Sequence, residues 1–183
     1  YFGLNRRLQG PNGLQNAPNF NGPVDRAVPV LRVKSADGSK LIATHASYAC
    51  HCTTLSINEI HGDWAGIAHQ ELELRFPGAI SLIAIGCGAD QNPYPRREMR
   101  FVLDHGVALA KEVVRLINEP MRPVRGPLAC ATKEVILPFD TLPTPEEWKA
   151  RSTDKNKYTA YHAQKHLAML DRGEKIPPAL PYM

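Results

Sequence analysis

The chain of 183 residues carries 43% hydrophobic and 22% charged residues, the balance of a folded globular protein. That excludes a disordered chain, a collagen and a coiled coil, and no apolar run approaches the roughly 20 residues that a membrane-spanning helix needs. The formal charge of +4, from 22 Lys and Arg against 18 Asp and Glu, is too small and too scattered to point to nucleic acid.

Sixteen Pro and thirteen Gly predict many loops, and four Cys are too few for a disulfide scaffold. The chain opens on Tyr1 rather than Met and closes on Pro181-Tyr182-Met183. With no signal-like stretch at the start, it reads as a piece of a longer protein. The clusters Gly10-Pro11-Asn12-Gly13 and Asn19-Phe20-Asn21-Gly22-Pro23 predict turns in the first 25 residues. A hairpin follows, with strands over 27–34 and 40–48 joined at Ala36-Asp37-Gly38-Ser39. Residues 63–76 read as a helix with Asp63 as its cap and Ile67, Leu72, Leu74 and Phe76 on its apolar face.

Residues 79–85 are continuously apolar, the pattern of a strand buried on both faces, and residues 86–93 follow as a loop. From 96 to 118 the apolar residues Met99, Val102, Leu103, Leu109, Ala110, Val113 and Ile117 recur at helical spacing until Pro120. A strand is expected over 128–137, a helix start at Thr144-Pro145, and a polar helix over 158–170 that stops before Gly173. Strands alternating with helices define an α/β class, a mixed sheet flanked by helices. Residues 1–139 would form the core, and 140–183 a helical excursion able to serve as a lid.

Chemistry-bearing residues concentrate in two places. His51 follows a strand, between Cys50 and Cys52, and His61-Gly62-Asp63 then opens a helix. Strand ends and helix starts are where α/β proteins place ligands, and a neutral imidazole there can bind a metal or act as a base. A satisfied structural histidine is the bland alternative. Alternation along an extended chain puts the two thiols on the packing side and His51 toward a cleft.

The C-x-C spacing is not the paired C-x-x-C of a structural zinc site. His45 reads as structural, and His162 and His166, four apart with no zincin glutamate, as a solvated face. The second place is Gly86-Cys87-Gly88-Ala89-Asp90-Gln91-Asn92-Pro93, where Asp90 could orient a histidine or a water. A plain connecting loop with local Asx bonds is equally compatible. It lacks the Lys-Ser/Thr of a phosphate loop, and no G-x-S-x-G serine elbow occurs anywhere in the chain.

Five stretches in order resemble the N-terminal catalytic domain of neutral/alkaline non-lysosomal ceramidases and their bacterial ceramidase-like relatives. They are Leu4-Asn5-Arg6-Arg7, Gly22-Pro23-Val24-Asp25 with Val30-Leu31-Arg32-Val33, Tyr48-Ala49-Cys50-His51-Cys52-Thr53-Thr54-Leu55, His61-Gly62-Asp63-Trp64-Ala65-Gly66, and the Gly86 to Pro93 loop. The resemblance covers roughly residues 1–125.

It implies part of a larger layered metallohydrolase domain, a zinc-dependent amidase that splits ceramide into sphingosine and a fatty acid. The family's zinc is held by two His, a Glu and a Tyr. His51 matches the second His, and the other ligands would lie outside this chain, so the chain alone would be inactive. Arg6 would match the active-site arginine, suited to a carboxylate or oxyanion, and Asp90 would support the metal-bound water or a partner.

Two departures stand out: Cys52 replaces the family's proline after the histidine, and Gln91 stands where the family has its active-site serine. An amide cannot serve as that nucleophile, which leaves a zinc-bound water for the role. The implied partner is a ceramide-like lipid or another N-acyl small molecule, with peripheral membrane contact allowed and no nucleic acid. By the same analogy the protein would be secreted or periplasmic. The alternative function is a non-catalytic lipid- or carbohydrate-binding relative on the same fold.

Overall fold

The computed structural model describes residues 2–11 and 13–182. The turn expected at Gly10 to Gly13 includes Asn12, which lies outside the described residues, as do Tyr1 and Met183. The fold is mixed α/β, as the alternation of strands and helices predicts. The chain divides into two compact units, residues 1–123 and 124–183.

The first unit is built on a three-stranded sheet of β4 (Val30–Lys34), β5 (Leu41–Tyr48) and β6 (Ile80–Ile85), in that order. β4 and β5 form the expected antiparallel hairpin, whose turn is held by the Asp37 carboxylate. It accepts from the Ser39 backbone N–H and the Ser35 and Ser39 hydroxyls, and these bonds hold its pKa down at about 2. The first strand starts at Val30 rather than residue 27. Pro29 has no N–H to give to the ladder, and only its carbonyl reaches β5, accepting from Ser47 at 3.1 Å. β6 runs parallel to β5, and α1 (Asp63–Arg75) makes the crossover between them.

α1 and α2 (Met99–Ile117) pack on the sheet face that carries Thr44, Ala46 and Tyr48. On α1 the buried stripe is Trp64, Ala68 and Leu72, spaced by four, and Leu74 is 75% exposed. The expected face was therefore rotated. The small Ala68 lies inside in place of Leu74 and permits close helix approach. On α2 the stripe is Val102, Leu109, Ala110, Val113 and Ile117, completed by His105 and Gly106. Met99 and Leu103, expected inside, are exposed. A Cβ on Gly106 would sit 2.4 Å from Ile67 Cβ and 2.8 Å from the Trp64 carbonyl, so this glycine sets how closely the helices approach. Full burial of Trp64 and Leu72 contributes roughly 1.5–3 kcal/mol each.

The opposite sheet face is open. Ile80 and Leu82 on β6 are 60% and 55% exposed, and His45 stands between Leu31 and Leu82 on the same side. β6 is therefore covered on one face only, not on both, and His45 is exposed on the other. An apolar run alone does not say how many faces of a strand find a partner.

Two short antiparallel pairs complete the first unit: β1 (Gly3–Asn5) with β7 (Gln91–Pro93), and β2 (Arg7–Gly10) with β3 (Gly13–Asn16). In the second unit, β8 (Val135–Pro138) pairs with β9 (Ala179–Tyr182), and α3 (Pro145–Arg151) packs with α4 (Lys157–Asp171). The strand expected from 128 is confined to Val135–Pro138. Thr144 caps α3 in a full capping box with Glu147, and Pro145 opens the helix. His166 is not on a solvated face: its ring lies 4.5 Å from that of buried Trp148, while His162 is exposed.

Candidate functional site

Three stretches far apart in sequence meet at the carboxyl end of β5. The chain leaves β5 at Tyr48 and runs through Cys50 and His51. The His51 N–H donates to the Gln91 carbonyl at 3.0 Å, and the Gly86 N–H to the Tyr48 carbonyl at 3.1 Å. These bonds lash residues 48–51 to residues 86–91. Gly88 makes the approach possible, since a Cβ there would lie 2.5 Å from the Cys50 nitrogen.

The N-terminal strand closes the third side. β1 pairs with β7 in the register Asn5↔Gln91, so part of the expected loop is a strand. The Arg6 N–H donates to the Asp90 carbonyl at 2.8 Å, and the Asn5 amide donates to the Asp90 carboxylate at 3.2 Å and to the Pro23 carbonyl at 2.8 Å. The structure thus brings Arg6, His51 and Asp90 into one cluster.

The Ala89 carbonyl is its focus. Arg6 Nε donates to it at 3.1 Å and Arg7 Nη2 at 3.2 Å. His51 Nε2 is buried and has no hydrogen-bond partner among the described residues. Partial burial, and then the positive charges of Arg6, Arg7 and Arg96, push the His51 pKa below its ordinary value, while the Ala89 carbonyl pulls the other way. The ring is therefore neutral at physiological pH and its nitrogen lone pair is available.

The thiols lie on the packing side. Cys50 is buried and Cys52 packs against the core. Burial above all pushes the Cys50 thiol up and raises Cys52 to about 11, so both stay protonated and weakly nucleophilic at neutral pH. Gln91 does not face solvent at the strand's end. It is 1% exposed, beside Gly3 and Tyr48, and its Oε1 has no partner among the described residues.

Asp63 is a brace rather than the expected helix cap. Gly62 occupies the cap position, and Asp63, at φ 51°, accepts from the Leu55 N–H at 3.0 Å and from the Trp64 N–H at 2.8 Å. It thereby ties the segment after His51 to α1. Trp64 adds a second tie, its indole N–H donating to the His51 carbonyl at 2.9 Å.

As for a metal, the orphaned nitrogen of His51 is a fitting donor, but it is a single one. Among the described residues no three His, Cys, Asp or Glu side chains gather closely enough to hold an ion. The residues present do not hold zinc by themselves. Sequence reasoning missed Arg96 and Arg97, which stand beside this cluster. Their adjacency after Tyr94-Pro95 was the available signal, but it reads equally well as the charged start of a helix.

The architecture defines an α/β unit whose polar cluster lies at the carboxyl end of a sheet strand. Among solved structures it is similar to neutral ceramidase from Pseudomonas aeruginosa, with a TM-score of 0.56 at 16% sequence identity, covering 76% of this chain and 24% of that chain. That likeness is one of fold. The chain spans about a quarter of the length of that ceramidase. No family model matches the chain, and no curated protein sequence matches it.

Proposed function

We propose that the chain forms part of the active centre of a ceramidase-like hydrolase acting on an N-acyl bond, with His51 as one ligand of a zinc ion. The observation that carries this reading is the buried, unpartnered Nε2 of a neutral His51 in the same cluster as Arg6 and Asp90. The fold likeness to a neutral ceramidase supports it. The remaining ligands would come from polypeptide outside residues 1–183.

Each residue then has a task set by its bonds. Arg6, held by Nε on the Ala89 carbonyl, keeps its terminal nitrogens for negative charge developing on a substrate carbonyl oxygen. Asp90 positions Arg6 by accepting the Asn5 amide while its own backbone carbonyl holds the Arg6 N–H. Gln91 has neither the acidity nor the exposure to act as a nucleophile. The substrate is a ceramide-like lipid or another N-acyl compound, and the setting is secreted or periplasmic.

The test is elemental analysis of the natural full-length polypeptide and its His51→Ala variant, beside hydrolysis of a short-chain ceramide. About one zinc per chain, falling in the variant together with hydrolysis, is the expected result. Full zinc occupancy in His51→Ala overturns the assignment. A second reading, a binding relative without catalysis, is favoured by the lone donor and by Gln91 in the serine's place. It predicts neither zinc nor hydrolysis in the full-length polypeptide.

A further inference from the structure

Beside the His51 cluster, an open cavity of about 460 Å³ is lined by three arginines, Arg6, Arg96 and Arg97, together with Asn5, Asn16 and Asn92. No carboxylate lines it. The acidic groups of the adjoining segments are engaged elsewhere. Asp90 accepts the Asn5 amide, Glu98 pairs with Arg100 at 2.9 Å, and Asp63 holds two backbone N–H groups.

The guanidinium groups of Arg96 and Arg97 have no hydrogen-bond or ion-pair partner among the described residues, and Arg96 Nε is buried without one. Removing a cation's N–H from water without a partner is costly, and gathering three like charges in one cavity adds repulsion. The segments that carry these side chains are nevertheless anchored. The Arg97 N–H is tied to the Thr54 carbonyl at 2.6 Å, and Arg6 is tied by the Asp90 and Ala89 carbonyls.

A group of guanidinium forks, with the Asn16 and Asn92 amides beside them, matches the oxygens of a tetrahedral oxyanion, which accepts two parallel N–H bonds from a fork. The net charge favours a dianion over a monocarboxylate, because one negative charge would leave most of the repulsion uncompensated.

We infer that the Arg6–Arg96–Arg97 cavity is a binding site for a doubly charged tetrahedral oxyanion, a phosphate or sulfate group, free or carried on a larger molecule. The inference shares Arg6 with the hydrolase reading, but it needs neither zinc nor turnover and is measured without either.

The experiment is calorimetric titration of the chain with inorganic phosphate at neutral pH and fixed ionic strength, followed by sulfate and acetate. Phosphate is expected to saturate one site per chain, with sulfate competing and acetate failing to compete at equal concentration. Arg96→Gln and Arg97→Gln should each weaken binding by about tenfold or more. Lys40→Gln, at the far end of β5, should leave it unchanged. Circular dichroism checks that each variant is folded; should Arg96→Gln fail to fold, Arg97→Gln, at an exposed position, decides.

Absence of saturable phosphate binding overturns the site. So does acetate binding as tightly as phosphate, an equal loss in Lys40→Gln, or unchanged binding in the folded arginine variants. A phosphate monoester that binds where free phosphate does, and is weakened by Arg97→Gln, shows the site to accept the group on a larger molecule. A monoester that fails to bind confines it to the free ion.

Discussion

His51 and His105 are held neutral for related reasons, with different consequences. His105 is buried on α2, stacked on Phe2 with ring centroids 4.5 Å apart, its Nε2 2.8 Å from the Pro95 carbonyl. Burial lowers its pKa most, and the Pro95 carbonyl opposes this. A folded state that resists protonation binds fewer protons than the unfolded chain. Stability from both histidines is therefore full above the unfolded pKa near 6.5 and is lost as pH falls through the lower folded values. Urea unfolding at a series of pH values should show this loss on acidification. His105→Phe should flatten the slope while costing about 1 kcal/mol at neutral pH through the lost bond to Pro95. An unchanged slope in that variant would remove His105 from the account.

Among the elements, close approaches carry as much weight as buried side chains. Gly88→Ala drives a methyl group into the Cys50 backbone, which cannot yield as a flexible side chain could. The expected outcome is a loss of about 1–3 kcal/mol and disturbed His51 chemical shifts, since this contact seats the loop against residues 48–51. In the second unit, Thr144→Ala removes half of the capping box that starts α3 and should cost about 1 kcal/mol by thermal denaturation. The start of this helix was legible because Thr144 and Pro145 are adjacent. The limits of the hairpin were less so, because only pairing with β5 shows where Pro29 stops the ladder.

For the molecule as a whole, the first unit presents an exposed sheet face on which Leu31, His45 and Leu82 form a cross-strand row. An apolar surface of this kind promotes association. Leu31→Lys combined with Leu82→Lys should change folding stability by only about 0.5 kcal/mol per site and reduce concentration-dependent self-association of the chain, read by analytical ultracentrifugation. A large destabilisation would mean that these side chains are buried. The fold likeness to neutral ceramidase covers 76% of this chain, which spans 24% of that ceramidase.

The α/β class, the long α2, the β4–β5 hairpin and the Thr144 cap were determined by the sequence alone, because each depends on spacing within one short stretch. The pairing of β1 with β7, the meeting of Arg6 and Arg7 at the Ala89 carbonyl and the three-arginine cavity were decided only in the tertiary structure. Their partners are separated by more than 80 residues, as in Asn5 with Asp90, and no periodicity in either segment encodes the other. The same holds for burial. Gln91 and Asp63 are polar, and their neighbours across the fold, rather than their own chemistry, put them inside.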